Sequence, residues 1–158
     1  MPENLPPILD ATDRRLLDIL QDDSALTNHA LAARVHISPA TCLRRVKRLV
    51  DSGVIERRIA IVSPEALGQG LTAILEVSLD PQSAESLAAF EARVVPEPEV
   101  QQCYRVSSGP DFVLIVHVRD MPAYHAFVHR VLTAEANVRN VRSFFSVKRS
   151  KFAPKVAV

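Results

Sequence analysis

The sequence predicts an α+β chain in two parts, three short N-terminal helices followed by a β-α-β-β-α-β run. Three observations predict it. Apolar residues recur at helical spacing as far as about Ser52 and alternate mainly as strands beyond Gly70. Helix-capping residues stand where helices should begin, at Asp10, Thr27, Ser38-Pro39 and Ser83. Turn residues gather between the elements, at Pro64 to Gly70, Pro96-Glu97-Pro98 and Ser108-Gly109-Pro110-Asp111.

In the first part, Asp10 is the expected N-cap of a helix over 11–21, with Asp13 in the first turn where the helix dipole favours an acid. Leu16, Leu17 and Leu20 make its apolar stripe, with Ile19 beside it. Thr27 caps a short second helix over 28–35, inward at Leu31, Ala32 and Val35. After a link at His36-Ile37-Ser38, Pro39 opens a third helix, since proline at the first position loses no needed hydrogen bond. That helix ends near Ser52, before Gly53. Cys42, Leu43, Val46, Leu49 and Val50 fall on one expected face, and Thr41, Arg44, Arg45 and Arg48 form a stripe on the other, flanked by Lys47. Residues 54–62, with Arg57 and Arg58 among apolar neighbours, are expected to form a short β-hairpin or wing.

In the second part, strands are expected over 71–79, 100–107, 112–118 and 141–147, and helices over 83–95 and 122–132. Ala73, Leu75, Val77 and Leu79 share one face of the first strand. Val100, Tyr104 and Val106 are placed on one face of the second, with Gln101, Cys103 and Arg105 on the other. Leu87, Phe90 and Val94 line the first helix, and Tyr124, Phe127, Val128 and Val131 the second. Phe112 to Val118 is apolar almost throughout, as in a strand covered on both faces. Helices in a split β-α-β unit cover one face of the sheet, so a second subunit is the expected cover for the other, giving a homodimer.

Composition narrows the function. With 158 residues, 47% hydrophobic and 23% charged, the chain suits one domain or two small ones and argues against long disorder. No run approaches the roughly 20 apolar residues of a membrane helix. Met1-Pro2-Glu3-Asn4 lacks the basic start and apolar run of a secretion signal, so the expected location is the cytoplasm, with no membrane partner. Cys42 and Cys103 have no metal-ligand spacing and read as small buried residues. His125 and His129 are four apart on a helix but lack a third ligand, so no metal or other cofactor is expected. There is no nucleophile-base pair, carboxylate pair or phosphate loop, so the chain does not read as an enzyme, although its C-terminal fold also suits a small-molecule-binding module.

Charge is unevenly spread in a chain of net +1. Residues 1–33 hold two basic against six acidic side chains, a net −4, and residues 34–58 hold seven against two, a net +5. A local basic patch in a near-neutral protein marks either an anionic partner or a solvated helix face. Its position on the third of three helices, after a link of about three residues, is that of a helix-turn-helix reading double-stranded DNA in the major groove. Ser38, Ala40, Thr41, Arg44, Arg45, Lys47, Arg48, Arg57 and Arg58 are the expected DNA-facing residues. Arg44 and Arg45 are assigned to bases, and Lys47, Arg48, Arg57 and Arg58 to phosphates.

Residues 8–150 together resemble the Lrp/AsnC family of feast/famine regulators. The resemblance rests on Leu9-Asp10-Ala11-Thr12-Asp13-Arg14, on Ser38 to Leu49, on Gly53-Val54-Ile55, on Val106 to Leu114 and on Asp120 to Tyr124, in order and at the right spacing. It implies a winged helix-turn-helix over 1–62, a linker over 63–70, and a ferredoxin-like effector-binding and oligomerisation domain over 71–158. It also implies dimers that assemble to octamers, and a small amino-acid effector held between dimers. Ser107, Ser108, Gly109, Pro110 and Asp111 match the family's effector loop. Here Ser108 stands where glycine is usual and Gly109 where an acid is common. An ordinary strand-to-strand turn is the competing reading of that loop. An architectural DNA-binding protein that senses nothing is the competing reading of the whole chain.

Overall fold

The computed structural model describes residues 8–133 and 137–158; the N-terminal tetrapeptide read for a secretion signal lies outside them. The chain divides into two compact units, one reaching to Ile61 and including Lys151–Val158, the other Val62–Ser150. The C-terminal tail lies with the first unit. Polar contacts hold it there. Gln21 exchanges two hydrogen bonds with the backbone of Val156, and Lys155 bridges Asp18 and Asp22 at 2.8 and 2.6 Å.

The first unit has three helices, α1 (Ala11–Asp22), α2 (Asn28–Arg34) and α3 (Pro39–Asp51). Each starts on the predicted cap. Asp10 and Asp13 form a reciprocal capping box, the Asp13 N–H donating to Asp10 at 2.8 Å and the Asp10 N–H to Asp13 at 3.2 Å. Thr27 and Ser38 accept from the N–H groups of Ala30 and Thr41. Leu16, Leu20, Leu31, Ala32, Val35, Cys42 and Val46 form the core. Two members of the expected inner face of α3 are exposed, Leu43 at 61% and Val50 at 45%, while Leu49 is buried at 1%. Only the side of α3 that meets α1 and α2 is covered, and the apolar arc of the sequence is wider than that contact.

The helix-turn-helix geometry is set locally. His36 takes a φ of 57° at the turn between α2 and α3. Asn28 at the start of α2 donates to the Pro39 carbonyl at 2.8 Å, fastening α2 to the first turn of α3. Gly53 ends α3 at φ 74°, which a side chain would oppose. The expected hairpin over 54–62 does not form: no strand occurs between residues 52 and 70. The segment has no glycine or asparagine for a tight turn, and no neighbouring strand in its unit to take up its backbone groups. The expected linker holds one short 3-10 turn, Glu65–Leu67.

In the second unit, β1 (Leu71–Leu79), α4 (Ala84–Val94), β2 (Val100–Arg105), β3 (Phe112–Val118), α5 (Met121–Phe127) and β4 (Val138–Phe145) follow one another, and α5 continues as a π-helical stretch, Val128–Thr133. The π stretch begins between His125 and His129, so these do not share one regular helix, and no group of three metal-ligating side chains occurs among the described residues. The sheet is antiparallel in the order β2-β3-β1-β4, the ferredoxin-like arrangement. Its covered face packs Ala73, Leu75, Val77, Phe112, Leu114 and Val116 against Phe90, Val94, Tyr124 and Phe127. The Phe90 and Phe112 rings lie 4.6 Å apart, and Tyr124 meets Phe145 edge-on and shares a hydrogen bond with Ser143.

Two bulges shift the strands from the expected pattern. Pairing of β4 with β1 starts at Val138 rather than Val141: Asn140 pairs with Ser78 in continuous register, and past a shift Val138 pairs with Leu79. In β2 a shift between Val100 and Gln102 brings both Val100 and Cys103 against the core and leaves Tyr104 on the opposite side. β3 alternates fully and half-buried residues, so its second face carries Val113, Ile115 and His117. Ile74, Tyr104 and Phe144 are exposed on that same side of the sheet.

Candidate nucleic-acid interface

The exposed side of α3 divides into two sets of residues. Ser38, Ala40, Thr41, Arg44 and Lys47 run along the helix toward solvent, Thr41 half-buried and the others exposed. The Ser38 hydroxyl is used internally, accepting the Thr41 N–H at 3.2 Å and donating to the Thr41 hydroxyl at 2.9 Å. This cap fixes the first turn of the helix and the position of Thr41. Arg44 is exposed and forms no ion pair among the described residues. Lys47 lies 3.7 Å from Asp51, a contact exposed on both sides and therefore weak.

Arg45 and Arg48 form the second set, and they turn toward α1. Arg45 Nη1 donates to Asp10 at 2.6 Å and to Asp13 at 2.9 Å, and Arg48 Nη2 donates to the other Asp13 oxygen. Asp13 is 1% exposed, the one buried charged side chain among the described residues. Its N–H, and after it the Arg45 guanidinium, hold the Asp10 carboxyl below its ordinary range; Asp10 and then Asp13 raise the Arg45 guanidinium. Arg45 was expected to read bases and Arg48 to hold phosphate; in the protein alone, both answer internal carboxylates. Arg57 and Arg58 lie exposed on the extended segment after α3, without ion pairs among the described residues.

Sequence reasoning missed Asp13 and Asn28. Asp13 was read only as an acid suited to a helix N-terminus. A buried carboxylate needs donors from elsewhere in the fold, and its Arg45 partner lies 32 residues on. The signal available was the excess of acid in residues 1–33 beside an excess of base in 34–58.

The expected effector residues form the turn between β2 and β3. Ser107, Ser108 and Gly109 are exposed, Ser108 at φ 66° and Gly109 at φ 124°, and Pro110 is half-buried. Asp111 is tied into the fold. One carboxylate oxygen accepts the Leu79 N–H at 2.7 Å and Gln82 Nε2 at 3.2 Å, while the Asp111 N–H donates to Val77 at 2.9 Å. The other oxygen forms no hydrogen bond among the described residues.

A capped three-helix unit with exposed cations on its third helix, joined to a β2-β3-β1-β4 sheet, has known counterparts. Residues 9–56 match a winged helix-turn-helix DNA-binding model, and residues 72–156 match the Lrp/AsnC ligand-binding domain. The chain belongs to the Lrp/AsnC family. It is 42% identical to an uncharacterized HTH-type transcriptional regulator of Haemophilus influenzae, over 90% of this chain and 85% of that one. It is 40% identical to a leucine-responsive regulatory protein of Rhizobium meliloti, over 95% of this chain and 96% of that one. A solved transcriptional regulator of Neisseria meningitidis in complex with L-methionine superposes with a TM-score of 0.89 at 35% identity, covering 94% of this chain and 96% of that one. This Lrp/AsnC chain is thus a DNA-binding transcription regulator with a ligand-binding domain, and not an enzyme. No helix among the described residues is long and apolar enough to cross a membrane.

Proposed function

We propose that two copies of this chain pair through the open sheet face and bind duplex DNA with two α3 helices, under control of a small amino acid. The observation that carries the DNA assignment is Arg44, exposed on α3 one turn beyond Thr41 and without an ion pair among the described residues. Arg44 reads a base edge, guanine being the natural partner of a bidentate arginine. Thr41, Ala40 and the first turn begun by Ser38 approach the groove, and Lys47, Arg57 and Arg58 neutralise phosphates, setting register without reading sequence. The free Cys42 and Cys103 suit the reducing cytoplasm where such DNA is found.

The apolar side chains Ile74, Tyr104, Ile115 and Phe144 on the uncovered side of the sheet support pairing of two copies. A two-fold pair presents two recognition helices to half-sites about one helical turn, roughly 34 Å, apart. Octamers are the further assembly that the family likeness supports. Sedimentation analysis reads both steps: a monomer at micromolar concentration removes the dimer, and a dimer at every concentration removes the octamer.

On this reading the amino acid binds at the 107–111 turn, its ammonium at the Asp111 oxygen that forms no hydrogen bond among the described residues and its carboxylate at backbone N–H groups near Gly109. Leucine and methionine are the first to test, given the leucine-responsive relative and the L-methionine complex. Thermal unfolding with each of the twenty amino acids decides the matter. A rise in Tm with one or two of them is expected, since a ligand of the native state stabilises it. No shift at millimolar ligand leaves the architectural reading in its place.

A further inference from the structure

Asp13 joins two parts of the DNA-binding unit that have no sequence neighbourhood. Its buried carboxylate accepts the Asp10 N–H at 3.2 Å, Arg45 Nη1 at 2.9 Å and Arg48 Nη2. Arg45 and Arg48 are one turn apart on α3, so both reach the same carboxylate from one side of the helix. A carboxylate 1% exposed is costly to bury without such partners, and it engages both arginines on its own side of α3. Arg45 is also drawn in, with a side chain 24% exposed and a second acceptor in Asp10 at 2.6 Å. Two of the seven cations in the basic segment are therefore already paired with the buried Asp13 carboxylate, Arg45 drawn in and Arg48 with a side chain still 52% exposed.

We propose that Asp13 is a positioning residue for DNA recognition: it holds Arg45 and Arg48 as internal counter-charges, fixes the rotation of α3 against α1, and thereby presents Arg44 rather than Arg45 to the bases. Asp13 does not touch DNA. It acts through the two arginines, and it lowers the number of cations that α3 spends on non-specific phosphate. The inference rests on α3 entering the groove, which Arg44→Gln tests separately.

The experiment compares the salt dependence of binding to a random-sequence duplex with binding to a duplex selected by the parent protein from a random pool. Five proteins are used: the parent, Arg44→Gln, Arg45→Gln, Arg48→Gln and Asp13→Asn. Each phosphate contact contributes about −0.9 to the slope of log K against log salt. Arg48→Gln is expected to leave that slope unchanged, because Arg48 holds no phosphate. Asp13→Asn retains an acceptor for the cap but frees the arginines. It is expected to steepen the slope by about one to two contacts and to cut the specific-to-random ratio about tenfold. Loss of α1 capping alone lowers Tm without steepening the slope. The proposal is overturned if Arg48→Gln flattens the slope by about one contact, or if folded Asp13→Asn keeps both the parent slope and the parent ratio. Should Asp13→Asn not fold, Arg45→Gln and Arg48→Gln decide alone, since a flattened slope in either refutes internal neutralisation. An Arg44→Gln protein indistinguishable from the parent on both duplexes condemns the groove assignment instead.

Discussion

The α3 surface and the β2–β3 turn are both exposed and polar, but the fold uses their polar atoms to different extents. On α3, Arg44 forms no ion pair among the described residues and Lys47 only an exposed one with Asp51. At the turn the one charged group, Asp111, already holds Leu79 and Gln82 with one oxygen. The same division runs through α3 itself, where Arg44 faces out and its neighbour Arg45 answers Asp10 and Asp13. A polar group is available for a partner to the extent that the folded chain has left it unpaired, and residue type alone does not reveal that.

The difference between the two regions can be broken by mutation, and the largest effect is expected at the turn. Asp111→Ala removes a charged acceptor from the Leu79 N–H and should destabilise the second unit by about 1.5–3 kcal/mol, read by urea unfolding. The salt slope on random duplex should stay at the parent value; a changed slope would show that the turn and the DNA surface are not separate. On α3 the expected result is reversed. Arg44→Ala should weaken the selected duplex by about 1–3 kcal/mol, roughly fivefold to 150-fold in Kd, and relax one base-pair position, with unfolding unchanged. A drop in stability of similar size would return Arg44 to the structural set.

The smallest effect sharpens the division within α3. The Asp13 N–H and Arg45 depress the Asp10 carboxyl below its ordinary value of 3.8. A carboxyl lowered by folding adds stability at pH above 3.8 that is lost as pH falls through the folded value. Tm followed into acid should therefore fall less steeply in Asp10→Asn than in the parent. Asp10 is half in solvent, so the change is small, and equal acid slopes in the two proteins would remove Asp10 from the cluster.

Much of this was readable in the residue order. Asp10, Thr27, Ser38 and Ser83 cap the helices they were expected to cap, because a cap is a contact across three residues. β1 and β3 fall on their expected bounds, since β1 alternates, β3 is a continuous apolar run, and turn residues flank both. β4 begins three residues early because the far end of β1 offers it partners, and β2 turns part of its face over because a bulge is fixed by the partner strand and leaves little local signature. The hairpin expected after Gly53 failed for a related reason: apolar residues and arginines suit a strand, but a strand also needs a neighbour. Leu43 and Val50 fit the apolar period of α3, yet the period cannot say how wide a face its neighbours cover.

The sequence by itself determined the family, the order of the elements, the helix starts and the helix that carries the basic stripe, since all of these depend on residues a few positions apart or on motifs in order. Only the tertiary structure decided which arginines of that stripe are free. Asp13 and Arg45 meet across 32 residues, and the pairing exists because α1 and α3 share a core. A guanidinium looks the same in the sequence whether it faces water or a buried carboxylate; the fold supplies the carboxylate, and with it the difference between a residue available to DNA and one that sets the helix in place.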